Sequence, residues 1–248
     1  MMIDAAQKRL IFALDVDSCA AEERWAEQLH DKVGLFKVGK QLFTRCGPDI
    51  VRRIQERGGQ VFLDLKYHDI PNTVARATVE ACRLGVKMVN VHALGGPTMM
   101  RETVAAVDEC CAAEKIQRPI LLAVTILTSS DQETLRAVGI DRPVEEMVPH
   151  LAKLAQQAGL DGVVASPREV PLIRRACGDD FVIVTPGVRP AFASVDDQKR
   201  ITTPADAIAA GADYLVVGRP IAKAADPQVA ATAILEEIAR SLDEVARG

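Results

Sequence analysis

At 248 residues the chain has room for one large domain or two small ones, and single α/β barrels commonly have this length. Its 48% hydrophobic and 26% charged residues are ordinary for a soluble globular protein with a sizeable core. A net charge of −4 argues against a nucleic-acid groove, which shows a basic excess, but leaves room for a local anion site.

The first residues, MMIDAAQKRLIFALD, lack the basic stretch, apolar core and small-residue cleavage site of a signal peptide. No apolar run is long enough to span a bilayer, so no membrane association is expected and cytoplasm is the expected location. The six cysteines are Cys19, Cys46, Cys82, Cys110, Cys111 and Cys177. None forms a CxxC pair and most fall in helix-like segments, so reduced thiols are expected.

Along the chain, short β-rich apolar runs alternate with longer amphipathic stretches. The runs are LIFALD (10–15), GLFKVG (34–39), QVFLDLK (60–66), VKMVNVHA (86–93), PILLAVTIL (119–127), DGVVAS (161–166), FVIVTPG (181–187) and DYLVVGR (213–219). Each is nearly continuous in Val, Ile, Leu and Phe, as strands buried on both faces require. Between the second and third, QLFTRCGPDIVRRIQERGG predicts a helix with Leu42, Ile50, Val51 and Ile54 on one face. Pro71 and Pro204 suit first helical turns, and Thr203 with Asp206 forms a capping-box pattern. Glycines at 58–59, 85, 159 and 211 fall where helices should stop. Eight βα units with no linker predict a single-domain (β/α)8 barrel over 1–248. A doubly wound open sheet alternates in the same way, but eight regular units in this length favour closure.

In a barrel, chemistry sits at the C-terminal ends of the strands. Polar residues there are few: Asp15, Lys37, Asp64, Lys66, Asp69, His92, Thr128, Ser166, Arg189 and Arg219. Lys37 interrupts an apolar strand, where an unpaired charge costs several kcal/mol. Asp64 and Lys66 are two apart on one strand, and Asp69 follows in a turn toward Pro71. The result is an alternating Lys–Asp–Lys–Asp array able to deliver a proton and to set negative charge beside a substrate. A structural ion-pair network closing the barrel mouth is the competing explanation of the same residues.

Arg189 in PGVRP and Arg219 in VVGRP follow the seventh and eighth strands, where this fold often binds phosphate. Gly187 and Gly218 permit close backbone approach, although either arginine alone could be a solvated surface residue. The segment VRPAFASVDDQKRI (188–201) is long for a βα turn and resembles a lid, on which Gln198 can offer an amide donor to a phosphate. His30 and His150 look like helix surface, His92 like a hydrogen-bonded strand end, and His68 has no assigned role. No His, Cys or Glu set has metal-ligand spacing.

The segment DLKYHDIPNTV (64–74) resembles the signature of the orotidine 5′-monophosphate decarboxylase family. ALD ending at Asp15, FKVG around Lys37, LTS (127–129), PGVRP (186–190), DDQKR (196–200) and VVGRPI (216–221) resemble the family's other motifs in the right order. The resemblance implies a cofactor-free enzyme that converts orotidine 5′-monophosphate to UMP and carbon dioxide. It implies Lys66 as the proton donor to C6, with Lys37, Asp64 and Asp69 completing the charged network. Asp15 and Lys37 would meet the ribose hydroxyls, and Thr73 would reach a neighbouring site from the partner of a homodimer. Thr128 would read the pyrimidine edge, and Arg189, Gln198, Gly218 and Arg219 would hold or flank the phosphate. Sugar-phosphate relatives similar to 3-keto-L-gulonate 6-phosphate decarboxylase or hexulose phosphate synthase share the Asp-x-Lys-x-x-Asp strand but use Mg²⁺. They tend to carry Glu where this chain has Lys37, which argues for the metal-free enzyme. A non-catalytic nucleotide-phosphate binding protein would not need the Lys–Asp array.

Overall fold

The computed structural model describes residues 2–190 and 202–247. Eight strands form where the apolar runs predict them: β1 (Leu10–Ala13), β2 (Leu35–Gly39), β3 (Val61–Tyr67), β4 (Met88–His92), β5 (Ile120–Val124), β6 (Gly162–Val164), β7 (Val182–Pro186) and β8 (Tyr214–Val217). They close into a barrel in sequence order, which decides against the open sheet. The helices are α1 (Met2–Arg9), α2 (Cys19–Leu29), α3 (Lys40–Cys46), α4 (Asp49–Glu56), α5 (Pro71–Arg83), α6 (Gly96–Glu114), α7 (Gln132–Ala137), α8 (Val144–Gln157), α9 (Val170–Cys177), α10 (Pro204–Ala209), α11 (Arg219–Ala222) and α12 (Pro227–Arg247). The connections after β2, β5 and β8 thus hold two helices each, where the sequence reading assigned one to every strand. Among the described residues no helix is long and apolar enough to cross a membrane.

The chain divides into two compact units, Met1–Asp64 with Thr185–Gly248, and Leu65–Val184. In the first, β1 pairs in parallel with β2 and with β8, and β2 with β3. Phe12 and Phe36 are register partners whose rings meet edge-on at 6.3 Å, and Phe12 also meets Trp25 at 5.2 Å. Such aromatic pairs add about 0.5–1.5 kcal/mol beyond the area they bury. The segment after β2 that reads as one helix is split. Gly47, at φ 67, ends α3, and Pro48 has no N–H with which to continue it. Leu42, Ile50, Val51 and Ile54 are nonetheless all buried, as their spacing requires. The expectation of six reduced thiols fails here: Cys19, opening α2, is disulfide-bonded to Cys46, closing α3. Their Cα atoms lie 6.1 Å apart, within bridging range, an approach made by the packing of the two helices and invisible in a separation of 27 residues. Thr203 and Asp206 form the expected capping box at α10.

In the second unit β4 to β7 pair in parallel, and Pro71 opens α5 as expected. Helices α5 and α6 bury Thr78, Cys82, Thr103, Val107, Cys110 and Cys111. The Thr78 and Thr103 hydroxyls donate to carbonyls one turn back, Val74 O and Met99 O, so neither polar group is stranded in the core. Asn90, in the middle of β4, is wholly buried.

Candidate active site

The first unit brings together three of the expected residues. Lys37 sits in the middle of β2, Asp64 lies on β3, and Asp15 follows β1 by two residues. The Lys37 Nζ is 3.2 Å from Asp15 Oδ1 and 3.5 Å from Asp64 Oδ2. The two carboxylates differ in setting, since the Asp15 side chain is 70% exposed and that of Asp64 10%. Two glycines border this triad. A Cβ on Gly39 would lie 3.4 Å from Lys37 Nζ, and one on Gly218 would lie 3.2 Å from Ala13 Cβ and 3.8 Å from Asp15 Oδ2. A Cβ at Gly39 would make only ordinary contacts with these polar atoms, whereas one at Gly218 would press on Ala13, so the bare backbone at Gly218 lets the chain pass close to the end of β1 beside Asp15. Arg219 follows Gly218 directly and is exposed. Arg189 is half-buried, its main-chain N–H donating to Thr202 O at 3.0 Å. Gln198, on the expected lid, lies outside the described residues.

The second unit carries Lys66, Asp69, Thr73 and Thr128. Lys66, still within β3, has φ 52. That left-handed conformation costs a side-chain-bearing residue about 1–2 kcal/mol. The Lys66 N–H donates to Oδ1 of buried Asn90 at 2.8 Å. Two residues further along the chain from each, His68 just past β3 and His92 at the end of β4 bring their rings together at a tilt, with centroids 5.5 Å apart. Asp69 is exposed, and its Oδ1 accepts the Ile70 N–H at 2.6 Å. Thr73 lies exposed in the first turn of α5, and Thr128 lies exposed beyond β5. Burial, followed by the nearby Cys82, pushes the Tyr67 phenol above its ordinary range.

Ser166, a strand-end candidate, has a structural role. Its hydroxyl and the Glu169 carboxylate cap the short turn 167–169 reciprocally. Among the described residues, no group of three or more His, Cys, Asp or Glu side chains is placed to hold a metal ion. Two neighbours of the expected residues carry no expectation from the sequence: Asn90, which bonds the Lys66 N–H, and Gly39, beside the Lys37 ammonium.

Residues 8–234 match the family described as orotidine 5′-phosphate decarboxylase / HUMPS family. A Syntrophotalea carbinolica protein named orotidine 5′-phosphate decarboxylase is 68% identical over 243 residues, covering 98% of this chain and 100% of its own. A Geobacter sulfurreducens protein of the same name is 64% identical over 238 residues, covering 96% and 99%. The crystal structure of orotidine 5′-phosphate decarboxylase from Lactobacillus acidophilus superposes with a TM-score of 0.80 at 39% identity, covering 92% of this chain and 98% of its own.

Proposed function

The chain belongs to the orotidine 5′-phosphate decarboxylase / HUMPS family, and we propose that it decarboxylates orotidine 5′-monophosphate to UMP in pyrimidine biosynthesis, without metal or organic cofactor. Relatives that carry the decarboxylase name at 64–68% identity, along nearly all of their own length, support the reaction. The observation that carries the metal-free reading is Lys37. Its ammonium occupies the space between Asp15 and Asp64 that a divalent cation bound by those two carboxylates would need.

In this reading the C6–carboxylate bond breaks, carbon dioxide leaves, and the electron pair remains at C6 until the Lys66 ammonium transfers a proton to it. No cofactor takes up that charge, so fixed charges of the protein must stabilise it as it develops. Lys37, Asp64, Lys66 and Asp69 supply them. Asp64 beside the departing carboxylate would also raise the energy of the bound substrate. Asp15 and Lys37 bind the ribose hydroxyls, and Thr128 reads the pyrimidine edge. Arg189, Gln198, Gly218 and Arg219 hold or flank the phosphate, whose binding energy, remote from C6, is spent on aligning the charged groups.

The active unit is a homodimer in the cytoplasm, with Asp69 and Thr73 of one subunit entering the partner's site, and the whole chain, 1–248, is one decarboxylase domain. Support for the dimer comes from large apolar side chains left open after consecutive strands of the second unit: Ile70 is 66% exposed, and Leu94 and Leu127 are 42% each. A subunit interface is where such residues belong.

The test is turnover of orotidine 5′-monophosphate by the purified protein, before and after exhaustive chelation. Equal turnover in both is expected. Strict Mg²⁺ dependence, or failure to turn over this nucleotide while a sugar phosphate reacts, would overturn the reading.

A further inference from the structure

Lys66 is asked to deliver a proton to one carbon, yet it hangs from a backbone that is not in a strand's ordinary conformation. At φ 52 it is the one side-chain-bearing residue in the left-handed region within the described strands. The other such residue, Lys115, closes α6, where helices commonly end that way. A strained residue persists only where its surroundings over-determine it. At Lys66 the neighbouring strand supplies the partner: Oδ1 of Asn90 accepts the Lys66 N–H at 2.8 Å, and Asn90 is entirely shut off from solvent. An amide in the middle of an apolar strand is costly to bury and is tolerated when its polar atoms are used. The His68 and His92 rings, in tilted contact, bring the same two chain segments together two residues beyond.

We propose that Asn90 is the positioning residue of Lys66. Its amide oxygen holds the Lys66 N–H, keeps residue 66 in the left-handed conformation, and so sets where the ammonium meets the substrate. The proposal rests on the reading of Lys66 as proton donor. Asn90 itself touches no reacting atom in this scheme. Misplacement of a reacting group by about 1 Å costs on the order of 100-fold in rate, while groups that bind phosphate and ribose elsewhere keep their grip on the nucleotide.

The experiment compares Asn90→Leu, close in shape but with no acceptor, with Asn90→Asp, which keeps an acceptor oxygen in place. In Asn90→Leu, kcat should fall about 100-fold while affinity for UMP changes less than about threefold. Its crystal structure should show residue 66 relaxed out of the left-handed region. Asn90→Asp should keep that conformation and hold kcat within about tenfold of the parent. Should Asn90→Leu not fold, Asn90→Ala is read in the same way. The proposal is overturned if residue 66 stays left-handed without the acceptor, if turnover and UMP affinity fall in equal proportion, or if Asn90→Asp is as slow as Asn90→Leu. Lys66→Ala separates the two claims. If that variant still decarboxylates, the proton-donor reading fails, while the conformation of residue 66 in Asn90→Leu still decides what Asn90 holds.

Discussion

The Lys37 ammonium lies 3.5 Å from the Asp64 carboxylate, with the two side chains only 12% and 10% exposed. Removing one member of a buried pair leaves the other charge short of a partner, at a cost of about 3–5 kcal/mol. Lys37 would keep Asp15, so Asp64→Ala should destabilise the fold by the lower end, about 3 kcal/mol. Asp15 makes an equally close pair but stands in water, and Asp15→Ala should cost less than about 1 kcal/mol. Urea unfolding of the two variants measures both. Equal losses would mean that burial does not distinguish the two carboxylates.

A second prediction concerns alkaline pH. Cys82 on α5 is shut in the core, and burial, followed by the neighbouring Cys111, pushes its thiol from 9.0 up to about 12. Between those values the unfolded chain has released the proton and the folded chain still holds it. The folded state then binds more protons, so this group's share of stability is complete below about pH 9 and is lost as pH rises toward 12. Burial raises the Tyr67 and Tyr214 phenols in the same direction. Thermal melts from pH 8 upward should therefore show a falling Tm, with a shallower fall in Cys82→Ala. An unchanged slope in that variant would assign the alkaline loss to other groups.

The phosphate assignment gives a third. Arg219 is exposed and follows Gly218, whose missing side chain leaves space beside Asp15. A guanidinium bound to a phosphate dianion contributes on the order of 1.5–3 kcal/mol. Arg219→Ala should weaken UMP by roughly that amount and leave uridine binding almost unchanged, as titration calorimetry of both ligands would show. Matching losses for nucleotide and nucleoside would place Arg219 away from the phosphate.

The barrel was legible because its strands are buried on both faces, which compels continuous apolar runs, and eight of these stand out. The same background made Lys37 and Asp64 conspicuous, because a charge on such a strand must be paired, and here the two pair with each other. Asn90 interrupts VKMVNVHA just as Lys37 interrupts GLFKVG, and asking what its amide bonds to would have singled it out. The left-handed Lys66 could not be foreseen, since lysine has no preference for that conformation and the hydrogen bond on its N–H comes from the neighbouring strand. Ser166 looked functional for its place at a strand end, yet its hydroxyl caps the following turn. The Cys19–Cys46 bond and the break at Gly47–Pro48 show the two limits of local reading. The bond depends on two helices meeting in space, whereas Gly-Pro was a visible breaker given too little weight against the apolar periodicity around it.

The last prediction tests whether the catalytic site is shared between subunits. Asp69 lies beyond the end of β3, exposed, with one carboxylate oxygen accepting the N–H of Ile70, itself 66% exposed. A side chain so placed can reach a partner seated on Ile70, and an isologous dimer would repeat the contact at a second, equivalent site. Two variants, Lys66→Ala and Asp69→Asn, should each be inactive as homodimers. They are then dissociated, mixed in equal amounts and reassociated, with exchange verified by mass-tagged subunits. If Asp69 acts on the partner's site, every mixed dimer has one site with both lesions and one with none. Half the dimers are mixed, so activity should return to about a quarter of that of the unmodified enzyme. If Asp69 instead serves the Lys66 of its own chain, each site in every dimer keeps one lesion. Activity then stays at the level of the two homodimers, and the shared site is ruled out.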